Sequence, residues 1–350
     1  MQTEAARAQL RFSSASVTGI VTTVGSKCIR FEDEGPQLGL EPNEVARLQK
    51  AIGLDQRHVV AGAETTVDLC EASARRLLDG LGVAASSVAG LILVTQTPDY
   101  AAPSSAIELQ HRLGLPVTSM AFDIRLGCSG FVYGLAIASS LVEAGLERVL
   151  VLAGDVASRF VDAGDHAVAP IMGDAGSAAL VERRPSESRY ELYSDGSGQR
   201  ALYIPNSGVR ADPRDEGLAP VMTMDGAAVF NFTLQRVPDL VKDILSFSER
   251  TVDEVDFFVM HQPNKYILRN IQKRLKIDEA KFPMSTQSVY GNQNSASIPG
   301  TISGFLGEAY GSSRLVSVLG GFGIGLSWGA AVIETDRIYA PPTFIGLEQT

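Results

Sequence analysis

The chain has 350 residues, 45% hydrophobic and 20% charged, a composition typical of a well-packed globular protein. Its formal net charge of −10 argues against general nucleic-acid binding, which needs a surplus of Lys and Arg. No apolar run approaches the roughly 18 residues of a membrane span, and we expect no secretory signal in the first residues. Three widely spaced cysteines give neither a disulfide framework nor a zinc site, and they favour a reducing, cytoplasmic location.

Apolar strand-like segments alternate with helical patterns in the first half of the chain, which predicts an α/β fold. Residues 90–97 and 119–124 are predicted to be buried strands. The second of these leads through the loop RLGCSG into a helix over residues 131–145. Two further strands are predicted at residues 148–155 and 176–183.

A polar segment broken by Pro, Gly and Asp occupies residues 184–225. A stretch of this length without periodicity is usually a functional cap or a mobile connector. We favour a cap over an active-site entrance, with a plain linker as the alternative. The predicted division of the chain is a first half at 1–185, the cap or connector at 186–225 and a second half at 226–350.

The second half repeats the order of elements. Residues 256–262 are predicted to be a strand, followed by a helix over NKYILRNIQKRL and a Gly- and Ser-rich turn onto a helix beginning near Ile298. Residues 314–334 are predicted to be a strand, a glycine loop and a strand. The repetition indicates an internal duplication with a period of about 150 residues. Two such halves would pack about a pseudo-twofold axis, so that the loops preceding equivalent helices face one another.

Cys128 lies in one of these loops, between a predicted strand and a predicted helix, in DIRLGCSGF. The positive end of a helix favours a thiolate, and small neighbours leave backbone amides free to hold an oxyanion. The alternative is a buried cysteine that acts as a small hydrophobic residue. Cys28 and Cys70 lack this strand–glycine–helix setting, and we predict that both are structural.

His261 ends a predicted strand, where open α/β folds place their sites, although a structural histidine remains an alternative. Asn292 lies in the turn YGNQNSASIPG, where a plain turn or capping role is the alternative to catalysis. The loop GGFGIG at 320–325 offers closely spaced amides but lacks the lysine of a P-loop. The remaining histidines are predicted to be solvated: His58, His111 and His166.

Taken in order, LGCSGFVYGL, HQPN, YGNQNSASIP and GGFGIGLSWGAA resemble the β-ketoacyl-acyl-carrier-protein synthase III branch of the thiolase superfamily. The resemblance extends from roughly Ser14 to Ile338. It implies a thiolase-like α/β fold in which two duplicated halves form five layers, α-β-α-β-α. It also implies a homodimer.

The resemblance implies a catalytic triad of Cys128, His261 and Asn292, with an oxyanion held by the backbone amides of Cys128 and Ile324. Cys128 would take an acyl group from a thioester. His261 and Asn292 would then stabilise the enolate of a decarboxylating malonyl thioester, which attacks the acyl-cysteine. No cofactor is implied beyond these thioesters. An acyltransferase that passes the acyl group to an alcohol or amine remains the alternative, and a catalytically silent subunit is disfavoured because all three residues are present.

The pocket implied by the resemblance includes Phe322 beside the nucleophile, Gly323 and Ala102. Family members often carry a bulky residue near Ala102, where it closes the acyl tunnel of the partner subunit. A methyl group at this place predicts a pocket that accepts acyl groups longer than acetyl.

The sequence departs from the family where coenzyme A is bound. Trp328 is the only tryptophan and lies inside the last motif, so the tryptophan that stacks on adenine is missing, and His166 stands in the place of its partner arginine. Tyr266 replaces a basic residue that contacts the carrier protein in other family members. The same helix still carries four basic residues: Lys265, Arg269, Lys273 and Arg274. They form either a docking patch for an acidic carrier protein or an ordinary solvated helix face. We therefore expect that the acyl donor arrives on acyl carrier protein, or on coenzyme A bound by other contacts. The enzyme would act in fatty-acid initiation or in a specialised pathway, and the departures favour the specialised pathway.

Overall fold

The computed structural model describes residues 6–348. The strands are β1 (Ala8–Phe12), β2 (Ala15–Val24), β3 (Lys27–Arg30), β4 (Gln56–Val59), β5 (Gly90–Val94), β6 (Met120–Ile124), β7 (Arg148–Asp155), β8 (Ala175–Arg183), β9 (Ser188–Ser194), β10 (Leu202–Tyr203), β11 (Thr223–Met224), β12 (Phe257–Met260), β13 (Arg314–Gly323), β14 (Ser327–Asp336) and β15 (Phe344–Ile345). The helices are α1 (Phe31–Glu34), α2 (Pro42–Ile52), α3 (Thr66–Leu81), α4 (Ser105–Arg112), α5 (Gly130–Glu143), α6 (Gly226–Phe247), α7 (Lys265–Leu275), α8 (Thr286–Tyr290), α9 (Ser297–Thr301) and α10 (Gly307–Ser312). No helix within residues 6–348 is long and apolar enough to cross a membrane.

Two large sheets carry the duplication. The first has the order β15-β2-β8-β7-β5-β6, and the second has the order β1-β9-β14-β13-β12. Within them, β2-β8-β7-β5 and β9-β14-β13-β12 share the same sequence of directions, two antiparallel pairings followed by a parallel one. The predicted internal duplication is therefore confirmed at the level of topology.

Helices and sheets alternate in five layers, as predicted. The helices α5 and α9 contact strands of both sheets and form the central layer, while α3 packs on the outer face of the first sheet and α6 on that of the second. Three buried apolar clusters fill the interfaces between the layers: one on both sides of the central helices, which includes Phe131, one under α3 with Leu77 and one under α6 with Leu240. The sequence of α5 is apolar on almost all sides because the helix is buried between two sheets.

The cap is shorter than predicted. Residues 188–194, assigned to the cap from sequence, form β9 within the second sheet, paired with β1 and β14. The strand escaped detection because its inward-facing Tyr190, packed on Phe12 at a ring distance of 5.7 Å, is surrounded by charged residues. The second half therefore begins with β9, and the cap is an insertion between β9 and α6. The helix α6 begins directly after the cap, where the Asp225 side chain caps it by accepting from the Ala228 amide at 3.0 Å.

Candidate active site

Cys128 lies in the short loop between β6 and α5, at the floor of a cavity of about 210 Å³. The side chain is buried. The glycines of β13 lie directly against it: a β-carbon at Gly323 would come within 2.9 Å of the Cys128 sulfur, and one at Gly321 within 2.7 Å of Ser129 Cα. Glycine at these two positions allows the second half of the chain to close on the nucleophile loop of the first.

Two backbone amides converge on the sulfur. They are the amides of Cys128 itself and of Ile324, the two oxyanion donors implied by the family resemblance. The loop that presents Ile324 is fixed by Ser327, whose hydroxyl donates to the Ile324 carbonyl at 2.9 Å and lies 2.7 Å from the Ser129 hydroxyl. Preorganised amides of this kind stabilise the negative oxygen of a tetrahedral intermediate.

His261 directly follows β12, at the carboxyl end of its parallel pairing with β13. Its backbone amide donates to the Gly320 carbonyl at 2.7 Å, and its Nδ1 lies 3.1 Å from the Ser297 hydroxyl. The ring packs edge-to-face on Phe322 at a centroid distance of 5.4 Å. Burial lowers the pKa of His261 to about 3, against a smaller opposing effect of a hydrogen bond with the Asn294 backbone. The imidazole is therefore neutral near pH 7.

Asn292 is held by the backbone of the first half. Its amide donates to the Ile171 carbonyl at 2.7 Å, and its carbonyl accepts from the Gly173 amide at 3.0 Å. The side-chain Oδ1 accepts from the Asn294 amide at 3.1 Å, which fixes the orientation of the carboxamide. The side-chain Nδ2 has no hydrogen-bond partner within residues 6–348, and Asn292 lines the same cavity as Cys128 and His261. This N–H donor is left for a ligand.

Two further polar residues complete the site and were missed from sequence. Asn294, with a left-handed φ of 47°, places its Oδ1 3.8 Å from the Cys128 sulfur. Asp155, the last residue of β7, is fully buried and accepts from Ser295 and from the Gln96 amide. The run of short polar side chains in YGNQNSAS was a signal for Asn294, whereas nothing in the apolar strand RVLVLAGD set Asp155 apart.

The electrostatics of Cys128 differ from the expectation. Burial and the negative charge of Asp155 raise the pKa of the Cys128 thiol to about 12, although the Ile324 and Cys128 amides lower it. The predicted preformed thiolate is therefore wrong for the unloaded site, because loss of solvation outweighs the helix terminus. At neutral pH the Cys128 side chain of the unloaded site is therefore an uncharged thiol.

The cap covers this cavity. Leu202, Met222 and Met224 from the β10–β11 region line it, together with Phe322 and Gly323 as predicted. The lining on this side is apolar, suited to a thioester-bearing arm rather than to an ion. The opposite wall is the start of α7, where Tyr266 stacks on Phe230 at a centroid distance of 5.6 Å.

The predicted docking residues lie on α7, whose first turn lines the cavity, but none of the four lines the cavity itself. Arg269, Lys273 and Arg274 are exposed on α7 and Lys265 is half-buried, and none of the four has an ion-pair partner among residues 6–348. Trp328, by contrast, is buried in β14 and stacks on Tyr193 at 5.5 Å.

Several other predicted residues lie away from the cavity. Ala102 is exposed and does not line the cavity of its own chain; its predicted place in the tunnel of a partner subunit stays a prediction. His111 and His166 are exposed, as predicted. His58 is buried, contrary to the prediction, because β4 turns its ring inward, where Nδ1 lies 3.0 Å from the Gly25 carbonyl.

Cys28 is exposed and Cys70 is buried, and neither reaches the cavity described above. Burial, together with the charges of Asp155 and Asp99, raises the pKa of Cys70, so its thiol stays protonated. The two cysteines thus lack the converging amides that distinguish Cys128.

The duplicated five-layer fold is that of the thiolases. Its site, in which a buried cysteine between two amides lies beside a neutral histidine and a free carboxamide, is that of an enzyme that transfers acyl groups. The family model for 3-oxoacyl-[acyl-carrier-protein] synthase III matches residues 122–196, and the model for the C-terminal part of that family matches residues 245–335. The chain belongs to this family of condensing enzymes, which are acyltransferases.

Individual relatives agree over nearly the full length. A putative 3-oxoacyl-[acyl-carrier-protein] synthase 3 of Campylobacter jejuni is 34% identical over 343 residues, covering 94% of this chain and 96% of the relative. A β-ketoacyl-[acyl-carrier-protein] synthase III of Synechocystis is 31% identical, covering 82% and 88%. The crystal structure of a 3-oxoacyl-(acyl-carrier protein) synthase from Burkholderia xenovorans LB400 has a TM-score of 0.93 at 33% identity, covering 97% of this chain and 99% of that one.

Proposed function

We propose that the enzyme loads an acyl group onto Cys128 and condenses it with a malonyl thioester to give a β-ketoacyl thioester and carbon dioxide. One observation carries this proposal: the site holds two separate sets of hydrogen-bond donors. The amides of Cys128 and Ile324 converge on the sulfur, and the Asn292 carboxamide has a free Nδ2 in the cavity that also contains a neutral His261.

The first set serves acyl transfer. The sulfur of Cys128 attacks the carbonyl carbon of the donor thioester, and the resulting oxyanion accepts hydrogen bonds from the two amides. Collapse of this intermediate breaks the carbon–sulfur bond of the donor. The proton of the Cys128 thiol leaves with the donor thiolate as a free thiol, and the acyl group remains on Cys128.

The second set serves condensation. His261 and Asn292 donate to the thioester carbonyl of the malonyl group, so that the electrons released with carbon dioxide are held as an enolate. The enolate carbon attacks the acyl-cysteine, the Cys128 thiolate leaves, and it takes up one proton from solvent to return to the thiol. A neutral imidazole suits this role because it has an N–H to donate, and the low pKa of His261 keeps it neutral.

We propose acyl carrier protein as the carrier of at least one thioester. The four basic residues lie on α7, the helix whose first turn lines the cavity, in a chain of net charge −10, and they have no acidic partners among the described residues. With Trp328 buried and an exposed His166 in place of an arginine, coenzyme A would lack the contacts that the family resemblance implies. These departures support a specialised lipid or secondary-metabolite pathway.

We further propose a homodimer in the cytoplasm. The strand β6 forms one edge of the first sheet and pairs only with β5 among the described strands. Around this edge lie four exposed apolar side chains: Tyr100, Ile107, Val117 and Met120. An open strand edge beside an apolar patch is typical of a surface that pairs with a second chain. The three cysteines are unpaired, which fits a reducing compartment.

The proposal is tested by giving the purified enzyme an acyl thioester and malonyl-acyl carrier protein, and measuring carbon dioxide and the β-ketoacyl product together. We expect equal amounts of both, and neither from Cys128→Ala. If the acyl group is instead transferred to an alcohol or amine while malonyl-acyl carrier protein remains intact, the enzyme is a non-decarboxylating acyltransferase.

A further inference from the structure

A second cavity of about 280 Å³ adjoins the one that contains Cys128. The two share a wall formed by Leu202, Met222 and Asn294. The second cavity also reaches Ile324 and Gly325, the loop that presents the oxyanion amide. The carrier is proposed to dock on α7, beside the first cavity, which leaves this second cavity as the space into which the acyl chain extends from Cys128.

The lining of this second cavity combines apolar side chains, among them Phe160 and Ile204, with several polar ones. Gln96, Thr97, Gln199 and Ser207 contribute to it, and so does Arg125, three residues before the nucleophile. The cavity beside α7, by contrast, is lined largely by methionine, phenylalanine and aliphatic side chains. Polar groups placed at the acyl end of the site indicate an acyl group that carries a polar end of its own.

Arg125 is the basic residue of this lining. It is exposed, and its guanidinium makes no hydrogen bond or ion pair with any residue of the described range 6–348. An arginine without an acidic partner presents a planar fork of donors, which matches a carboxylate in both shape and charge. Among residues 6–348 of a single chain, the cavity therefore contains a basic group without an acidic partner.

The same cavity also contains the carboxylate of Asp155, which already accepts hydrogen bonds from the protein. Asp155 accepts from the Gln96 amide at 2.8 Å and from the Ser295 amide and hydroxyl at 3.2 and 2.6 Å. Hydroxyls of Thr95 and Thr97 lie 3.3 and 3.5 Å from the same carboxylate. These donors hold Asp155 in the wall, and it forms no ion pair with Arg125, which is left to interact with a ligand.

We infer that the acyl group loaded onto Cys128 is a short chain ending in a carboxylate, whose charge is bound by Arg125 in the second cavity. This inference rests on the proposed function, because the acyl group reaches the cavity only as a thioester of Cys128. The enzyme thus selects a dicarboxylic acyl donor, and the amide groups of Gln96 and Gln199 add hydrogen bonds to the same end of the chain.

The test compares succinyl and butyryl thioesters on the same carrier, which have equal carbon counts and differ in the terminal carboxylate. The rate at which each forms an adduct on Cys128 is followed by intact mass. A charged hydrogen bond of this kind is expected to favour succinyl by about 10- to 100-fold. In Arg125→Met, which keeps an unbranched side chain but removes the charge, this ratio should fall to one or below.

The matched control is Arg314→Met, which removes a positive charge at the opposite end of β13 and should leave the succinyl preference unchanged. A wild-type preference for butyryl, or a ratio unaltered by Arg125→Met, overturns the inference. Failure of both thioesters to form any adduct on Cys128 is a different result: it overturns the proposed acyl-enzyme and takes the inference with it. Arg125→Lys, which keeps the positive charge, is a second test and should retain most of the preference for succinyl over butyryl.

Discussion

Asp155 accepts two hydrogen bonds from Ser295, at 3.2 Å from the backbone amide and 2.6 Å from the hydroxyl. The pair joins the end of β7 in the first half to the turn that carries Asn292 in the second. The carboxylate is fully buried, and burial raises its pKa to about 6, so that it is mostly ionised at neutral pH. A buried negative charge therefore lies beneath the active site.

This charge is one of the causes that raise the pKa of Cys128. We expect Asp155→Asn to lower the pKa of the thiol, because the variant removes a nearby negative charge while keeping the shape of the side chain. The measurement is the rate of Cys128 alkylation by iodoacetamide against pH. The profile of the variant should move to lower pH, with alkylation several-fold faster at a fixed pH near 8.

The matched control is Asp239→Asn, which removes an exposed carboxylate on α6. It should leave the alkylation profile in place. An Asp155→Asn profile that stays unchanged or moves to higher pH would show that Asp155 does not set the charge state of the nucleophile.

The two polar atoms of the Asn292 side chain have different roles: Oδ1 accepts a hydrogen bond from the protein, and Nδ2 is left for the substrate. Asn292→Asp keeps an oxygen to accept from the Asn294 amide but replaces the free N–H donor by a second oxygen. Loss of one such donor should lower the rate of condensation by about 10²–10³-fold. Acylation of Cys128, which uses the backbone amides, should fall much less. Both steps are measured on the same enzyme, by intact mass and by carbon dioxide release.

Asn43→Asp on the exposed surface of α2 controls for the added charge. Equal losses in acylation and condensation for Asn292→Asp would contradict a specific role of Asn292 in the second half-reaction.

The low pKa of His261 has a consequence for stability. In the unfolded chain the ring takes up a proton near its ordinary pKa of 6.5, whereas in the folded protein it does so only near 3. The unfolded state thus binds more protons between these values, and the contribution of His261 to stability is lost as pH falls below 6.5. Lowering the pH from 7 to 5 should cost about 2 kcal/mol through this residue.

Urea unfolding of the wild type and of His261→Gln at both pH values measures this cost. The variant should lose about 2 kcal/mol less stability than the wild type on acidification. Asp155 acts in the opposite direction but is common to both proteins, so the difference isolates His261. Identical pH dependences would mean that the pKa of His261 in the folded protein equals its ordinary value, which would contradict this prediction.

The basic face of α7 predicts a difference between carriers. Arg269→Glu combined with Lys273→Glu should lower kcat/KM with acyl carrier protein substrates by about 10-fold at low salt, and less at high salt. Substrates on coenzyme A, which has no acidic protein surface, should be affected far less. Lys242→Glu, an exposed residue of α6, is the control. A uniform loss with both carriers would argue against docking on this helix.

Much of the fold was predictable because each half carries strong local signals. The apolar runs of β5 and β7 and the helix α5 are buried on nearly every side, so their hydrophobicity alone identifies them. The strand β9 was not predictable in the same way. Its charged residues and its position after a polar stretch favour a loop, and only pairing with β1 and β14 makes it a strand.

The site was predictable in its residues but not in its charge state. Cys128, His261 and Asn292 stand in short motifs that follow strands or precede helices, and the structure brings all three to one cavity. The protonation of the Cys128 thiol depends instead on burial and on Asp155, which is 27 positions further along the chain and carries no motif. Effects of this kind arise from tertiary packing and leave no local pattern.

The central claim is a covalent acyl group on the sulfur of Cys128, and the mass of the intact protein tests it most directly. After brief incubation with an acyl thioester and no malonyl donor, the wild type should gain the mass of one acyl group, mapped by peptide digestion to the segment containing Cys128. The gain should vanish on adding malonyl-acyl carrier protein and be absent in Cys128→Ser. An unmodified wild-type protein that still forms the β-ketoacyl product, or an adduct on Cys28 or Cys70, would contradict the account.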